Sequence, residues 1–159
     1  MKNRLFLICL LFIWVACDRV DPYSQEFLEE LSNPFEIHHP DGTLYGSTSS
    51  SILFVKSEVF SNSSQSMDIT WNLLSSEIPR DWELNVCDPV NCWGPEITTK
   101  TFTLIPRGDG LLDAGFRPGG VPGEGRALIE VWAVQDSAET YQVIEFNAVA
   151  ERPEYLLKY

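Results

Sequence analysis

The sequence predicts an all-β protein, an antiparallel β-sandwich of about seven strands. Beyond residue 43, apolar side chains recur at every second position in seven short runs, which is the period of a strand with one buried face. Clusters of Ser, Asn, Asp, Gly and Pro separate the runs, and none of the runs has a long helical pattern. Short strands with regular turns are typical of a sandwich, and an up-and-down barrel is the main alternative.

Each run is expected to turn its apolar side chains toward one core, where the large tryptophan side chains dominate the packing. The runs cover residues 52–60, 67–74, 82–87, 99–105, 111–116, 127–134 and 140–150. The predicted inward positions are Met67, Ile69, Trp71 and Leu73, then Trp82, Leu84 and Val86, then Phe102 and Leu104, then Leu112, Ala114 and Phe116, and finally Ile144, Phe146 and Ala148.

The first 16 residues are a predicted secretory signal. Lys2 and Arg4 precede an apolar run that is too short to span a bilayer of about 30 Å as a helix. The run ends in a Trp-Val-Ala-Cys segment at residues 14–17 and so resembles a bacterial lipoprotein signal. In that family lipid is attached to the cysteine and the signal is cleaved just before it. The resemblance implies lipidation of Cys17 and anchoring in the cell envelope, with the outer membrane as the expected location.

The cysteine count agrees with this interpretation. Cys9 would leave with the signal and Cys17 would carry lipid, so that Cys87 and Cys92 remain. In an oxidising compartment such a pair is predicted to form a disulfide, and Asp88-Pro89 favours the turn that brings the two sulfurs together. A redox-active pair would normally use a tighter spacing at a helix start, and a metal site lacks partner ligands at suitable spacing.

The charge excludes one class of partner. The chain has 23 acidic and 11 basic residues, a net charge of −12, and no cluster of Lys or Arg, so nucleic acid is not an expected ligand. Anionic lipid would also repel the protein, so the anchoring must come from the acyl chains. We expect no cofactor.

The predicted domain order follows from these segments. Residues 1–16 are the signal, and the polar, acidic residues 17–42 are a tether that contains at most two turns of helix. Residues 43–151 form the sandwich, and residues 152–159 are a tail.

The middle of the sandwich carries a recognisable constellation. A strand tryptophan (Trp71), a Pro-x-x-Trp loop ending at Trp82, a Cys-Asp-x-x-x-Cys-Trp hairpin at 87–93 and a Phe-Thr-Leu-x-Pro strand at 102–106 follow one another. This order resembles an immunoglobulin-like module of secreted and surface proteins of the Bacteroidota, although Arg107 stands where the pattern has glycine. That family is associated with adhesion, envelope assembly and surface display, and the resemblance supplies no catalytic residue.

The resemblance therefore implies a non-enzymatic module that docks on another envelope protein, such as an assembly or secretion machine. A sheet edge, or the loop tryptophans Trp82 and Trp93, would be the contact surface. A carbohydrate- or adhesin-type binding domain that uses the same tryptophans is the alternative, and a small envelope enzyme is a more remote one.

Four further motifs have an ordinary interpretation beside a functional one. His38-His39-Pro40-Asp41 offers metal-ligand types, but adjacent histidines in a strand point to opposite faces and Pro-Asp-Gly forms turns. Arg107-Gly108-Asp109 is interpreted as a hairpin turn in which Gly108 and Gly110 adopt positive φ. Clustered carboxylates lack the spacing of a calcium loop. Asp136-Ser137-Ala138 resembles an acceptor for O-glycosylation of exported Bacteroidota proteins, with Ser137 as the modified residue.

Overall fold

A computed structural model describes residues 33–156, so the signal, Cys17 and residues 17–32 of the predicted tether lie outside the described residues. The described chain is almost entirely β, as predicted. Its helical elements are one 3-10 turn, Val134–Asp136, and one helical turn, Pro153–Leu156. The strands are β1 (Phe35–His38), β2 (Thr43–Ser47), β3 (Leu53–Val55), β4 (Glu58–Ser61), β5 (Met67–Glu77), β6 (Glu83–Cys87), β7 (Cys92–Trp93), β8 (Thr99–Leu104), β9 (Asp109–Leu111), β10 (Asp113–Arg117), β11 (Gly123–Ala133) and β12 (Gln142–Glu151).

Two of the predicted strands, residues 52–60 and 111–116, are each interrupted once, and the two interruptions lie opposite each other. β3 pairs with β10 and β4 pairs with β9 in one common antiparallel register, in which Phe54 lies opposite Gly115 and Val59 opposite Gly110. Between them the N–H of Leu112 donates to the carbonyl of Ser57 at 3.0 Å, so pairing continues across the break. The interruption therefore divides one long strand pair into two, and both halves belong to one sheet.

Two five-stranded sheets result, and they pack face to face around one core. The first has the order β1, β3/β4, β9/β10, β6, β7, and the second has the order β2, β12, β11, β5, β8. All described pairings are antiparallel except that of β2 with β12, which is parallel. The first sheet therefore ends at β1 and β7, and the second ends at β2 and β8.

The predicted inward faces are confirmed with one adjustment. Every predicted inward residue is buried except Leu73, which is only partly buried. Near Leu73 the register of β5 against β11 shifts between Leu128 and Ile129. A bulge of this kind inserts one extra residue, here Leu74, which is exposed.

The predicted boundary between tether and sandwich is too late in the chain. β1 lies within the predicted tether of residues 17–42, yet it pairs with β4, and Phe35 is 0% exposed in the core. The alternation of Phe35 and Ile37 covers only four residues between Pro34 and Pro40, so the periodic signal was too short to be recognised. The sandwich therefore includes β1.

Candidate functional site

The carboxylate of Asp88 organises one end of the sandwich. Asp88 is 3% exposed and begins the turn between β6 and β7. Its Oδ2 accepts the indole N–H of Trp71 at 3.0 Å and that of Trp93 at 2.7 Å. Its Oδ1 accepts the main-chain N–H groups of Val90 at 2.9 Å and Asn91 at 3.0 Å. We call this group of four hydrogen bonds the Asp88 network.

The Asp88 network gives a physical reason for the Cys-Asp-x-x-x-Cys-Trp pattern. The N–H of Asp88 donates to the carbonyl of Asn91 at 2.9 Å, which closes the turn. Cys87 and Cys92 lie directly opposite each other in the β6–β7 pair and form the predicted disulfide. A buried carboxylate requires donors, and the hairpin supplies two from its main chain while the tryptophans supply the other two. The site therefore has a structural role, because it joins the hairpin to the two tryptophans.

Trp82 does not form a contact surface, contrary to one of the two predicted roles. It is 4% exposed, its indole N–H donates to the carbonyl of Val121 at 2.9 Å, and its ring packs edge-on against Phe116. The alternation that places Trp82 on one face with Leu84 and Val86 already indicates a core position. Its burial removes it as a binding residue.

Trp93 lies at the margin of the core. It is half-buried, with its N–H held by Asp88 and its ring covered by the ammonium of Lys100, which lies 4.4 Å from the ring centroid. A cation at this distance is attracted by the ring quadrupole. The structure thus assigns Trp93 an internal partner on its polar edge and a charged neighbour on its face, an arrangement that leaves little of the ring for a sugar or a partner protein.

The two histidines do not form a catalytic or metal-binding arrangement. Both line a depression of about 620 Å³ beside β1, together with Ser57 and Glu58. However, the Ser57 hydroxyl donates to the carbonyl of His38, and the His39 ring contacts the carbonyl of Glu145 at 2.8 Å. Within residues 33–156, no group of three or more His, Cys, Asp or Glu side chains is arranged to hold a metal ion.

The shifted ionisable groups lie mainly on the outer face of the second sheet. A hydrogen bond from Arg126 at 2.8 Å, assisted by one from Asn147, lowers the pKa of Glu145 to about 2. The same bond raises the pKa of Arg126. On the first sheet, burial raises the pKa of Asp113, although its carboxylate accepts the N–H of Ser57. The shifts of Glu145 and Arg126 therefore come from one ion pair, and that of Asp113 comes from burial. Arg126 lines one shallow depression of the surface and Glu145 lines another.

The Arg-Gly-Asp segment forms a turn, as predicted, but the turn is not a hairpin, because it joins β8 of the second sheet to β9 of the first, and its backbone angles also differ from those predicted. The N–H of Gly108 donates to the carbonyl of Ile105 at 3.1 Å, with Pro106 and Arg107 between them. Arg107 has φ of 56°, whereas Gly108 and Gly110 are not in the left-handed region. Proline followed by a residue of positive φ is the pattern of a type II turn, in which the second position favours glycine. Arg107 therefore occupies a strained position.

Ser137 lies in the exposed turn that follows the 3-10 turn Val134–Asp136. Thr140 closes this loop, since its hydroxyl accepts the N–H of Ala133 and its own N–H donates to the carbonyl of Asp136. Ser137 is thus exposed on a loop that Thr140 closes.

β8 is one of the four strands that end the two sheets, and it offers main-chain groups for pairing. Among residues 33–156, β8 pairs only with β5. The N–H of Leu73 donates to the carbonyl of Thr98, so residues 100, 102 and 104 continue this hydrogen-bonded alternation toward β5. The N–H and C=O groups of Thr99, Thr101 and Thr103 therefore point away from the sheet. We call these main-chain groups the open edge.

The threonine side chains of β8 hold the strand in place. The hydroxyls of Thr101 and Thr70 share a hydrogen bond of 2.8 Å, and Thr103 donates to Asp68 at 2.7 Å. Thr99 donates to the carbonyl of Trp71 at 2.7 Å. The sequence predicts a sheet edge as a contact surface but not which edge, because the pairing partner of each strand is not a local property.

Comparisons with known proteins agree on the fold. No family model matches the chain, and no curated protein matches its sequence. The N-terminal domain of PorA superposes with a TM-score of 0.52 at 14% identity, covering 74% of this chain and 97% of that domain. A PapD-like domain of human CEP192 gives a TM-score of 0.44 at 15% identity, covering 77% and 87%. The CooA pilin subunit of enterotoxigenic Escherichia coli gives 0.44 at 11% identity, covering 74% and 99%.

The similarity to the PorA domain, together with the sheet order, shows an immunoglobulin-like β-sandwich, as predicted. The described part of the chain contains no helix that is both long enough and apolar enough to cross a membrane.

Proposed function

We propose that this protein is a lipid-anchored protein of the cell envelope, and that its sandwich is a non-enzymatic module for binding another envelope protein. Cys17 would carry the lipid, and the outer membrane is the proposed location. The observation that carries the binding role is the open edge, which offers six unshared main-chain groups on a rigid strand within residues 33–156. Main-chain pairing at a sheet edge is a general mode of protein recognition.

The polar interior supports the same proposal. The Asp88 network uses both oxygens of its buried carboxylate for internal donors, and the Ser57 hydroxyl is bonded to a carbonyl. Groups occupied in this way hold the fold and are poor candidates for catalysis. The burial of Trp82 also argues against glycan binding through the loop tryptophans, since stacking on a sugar requires an accessible ring.

The lipid anchor and the binding role have separate tests. Mass spectrometry of the protein purified from envelopes should find an acylated Cys17 as the first residue of the mature chain. The variant Cys17→Ser should lose the acyl mass and leave the membrane fraction. An unmodified Cys17, or a mature chain that begins elsewhere, would refute the anchor.

Photocrosslinking in intact envelopes tests the binding role. A benzoylphenylalanine residue replaces Val90, Ile105 or Tyr45, all of which are exposed. At one or more of these positions we expect a single crosslinked product between this protein and one other protein. Its yield should not change when the envelope is washed in high salt. The absence of a discrete adduct from all three positions would refute the proposed function.

Ser137 is proposed as a glycosylated residue, on the basis of its motif and its exposed turn. Intact-mass analysis should show a glycan mass that disappears in Ser137→Ala and persists in the neighbouring control Glu139→Gln. An intact mass equal to that of the acylated chain alone would exclude the modification.

A further inference from the structure

The open edge carries an inference that rests on the proposed function and specifies its partner. We propose that the partner supplies an extended segment that adds to β8 as a further strand, with apolar side chains near Val90 and Ile105 and one carboxylate beside Lys100. The geometry of the open edge supports strand addition. The main-chain groups of Thr99, Thr101 and Thr103 form a continuous row, whereas β7, at the same margin of the other sheet, has only two residues.

The apolar surface beside the open edge also supports this partner. Gly110 approaches both Pro89 and Leu104, because a Cβ added at Gly110 would lie within about 3 Å of each side chain. The hairpin turn and the end of β8 therefore meet at Gly110. Val90 and Ile105, one residue further along each segment, are 68% and 65% exposed. An incoming strand would cover these two side chains while it pairs with the open edge.

The charge of Lys100 supports a carboxylate on the partner. Lys100 is the only charged residue of β8, and its ammonium is turned toward Trp93 on the inward side of the strand. An inward charge on an edge strand discourages indiscriminate pairing, because an apolar neighbour would desolvate it. A strand that places a carboxylate beside Lys100 compensates that charge, so the lysine selects among partners.

The same charge argues against a second copy of this chain as the partner. In an antiparallel pair of two β8 strands, the open edge allows Thr101 to face Thr101, which sets Lys100 opposite Phe102. A shift by two residues sets Lys100 opposite Lys100. Neither register supplies a carboxylate, and a net charge of −12 makes two copies repel each other.

Two synthetic peptides test the partner chemistry. Both are end-capped decapeptides of alternating Val and Thr, and they differ only in one central Val, which is replaced by Glu in one and by Lys in the other. Binding to the full-length protein in detergent micelles is measured by fluorescence anisotropy. We expect the Glu peptide to bind at least fivefold more tightly than the Lys peptide. Lys100→Met should remove this preference and Lys100→Glu should reverse it, whereas equal binding of both peptides to the unmodified protein would overturn the charge argument.

A matched pair of substitutions tests the edge itself. Thr101→Pro removes one outward N–H and the hydroxyl bond to Thr70 but no main-chain hydrogen bond to β5, whereas Thr101→Val keeps that N–H and loses only the hydroxyl. We expect the proline variant to weaken Glu-peptide binding at least tenfold and the valine variant to stay within twofold. Hydrogen exchange of the unmodified protein supplies a readout that needs no variant, since the peptide should slow exchange at Thr99, Thr101 and Thr103.

The outcomes separate this inference from the proposed function. Equal peptide binding by the two Thr101 variants, or unchanged exchange at the open edge, would overturn the inference. A dimer of this chain that dissociates on Thr101→Pro would also overturn it, because a second copy would then occupy the edge. If Thr101→Pro leaves the photocrosslinked envelope adduct unchanged, the partner binds elsewhere and only the inference fails.

Discussion

Replacing Asp88 by Asn is the most direct test of the Asp88 network. The amide keeps one oxygen, so it can accept either the two indole N–H groups or the two main-chain N–H groups. Its NH₂ group then faces the other pair, donor against donor. The substitution changes the volume of the side chain very little, so the loss of stability should come from hydrogen bonding.

The magnitude follows from the number of hydrogen bonds lost. A hydrogen bond to a charged group contributes about 1.5–3 kcal/mol to stability. Two such bonds are lost, so we expect the free energy of unfolding to fall by about 3–6 kcal/mol, against a total of roughly 5–15 kcal/mol for a domain. With an ordinary urea dependence, the unfolding midpoint should fall by about 2 M.

Urea unfolding followed by tryptophan fluorescence measures this directly, since two of the donors are tryptophans. Asp136→Asn is the matched control, because Asp136 lies in an exposed turn, and it should change stability by less than about 0.5 kcal/mol. Trp93→Phe removes a single donor to the carboxylate and should cost about 1.5–3 kcal/mol.

Combining Trp93→Phe with Asp88→Asn should cost less than the sum of the two, because both changes act on the same oxygen. A loss of less than 1 kcal/mol for Asp88→Asn, or strict additivity with Trp93→Phe, would refute the view that the four bonds act as a unit.

Three further outcomes are expected. Replacing Cys87 and Cys92 by Ala should cost about 2 kcal/mol, since the disulfide closes a loop with a sequence separation of only 5, and urea unfolding of the oxidised protein is the reference. A loss above about 4 kcal/mol would mean that the Asp88 network does not hold the hairpin by itself. Arg107→Gly should raise stability by about 1 kcal/mol, because glycine adopts positive φ without strain, and a lower melting temperature would contradict the type II turn. Because the folded pKa of Glu145 lies below its ordinary value of 4.5, its ion pair stabilises the fold above pH 4.5, and this contribution is lost as the pH falls toward about 2. Acid unfolding should therefore be less steep in Glu145→Gln within this window, and an identical pH profile would count against the pair.

Sequence periodicity predicted the parts of the fold that it controls. The alternation in β11 and β12 persists over most of ten residues, and that in β5 runs from Met67 to Leu73, so the inward faces followed directly. β1 and β2 each offer at most two apolar residues in alternation, which is too few for a period to be recognised. The break between β3 and β4 was missed because apolar residues continue through it on both sides.

The site shows the same limit. The turn at Asp88-Pro89 and the disulfide were predictable, because both depend on residues that are close in sequence. The second role of Asp88, as acceptor for Trp71, joins residues 17 positions apart and depends on how the sheets pack. A signal was nevertheless present, since a buried tryptophan N–H requires an acceptor and Asp88 is the only carboxylate within the hairpin at 87–93. The burial of Trp82 was likewise implied by its own strand pattern.

The strand order has a consequence for how the protein is presented to its surroundings. β1 and β2 end the two sheets on one side of the sandwich, and β7 and β8 end them on the other. The described chain enters the domain at Asn33, immediately before β1, which is an edge strand of the first sheet, whereas β8 is an edge strand of the second. A polypeptide that pairs with β8 would therefore extend a different sheet from the one that the N-terminal segment enters, and it need not displace β1.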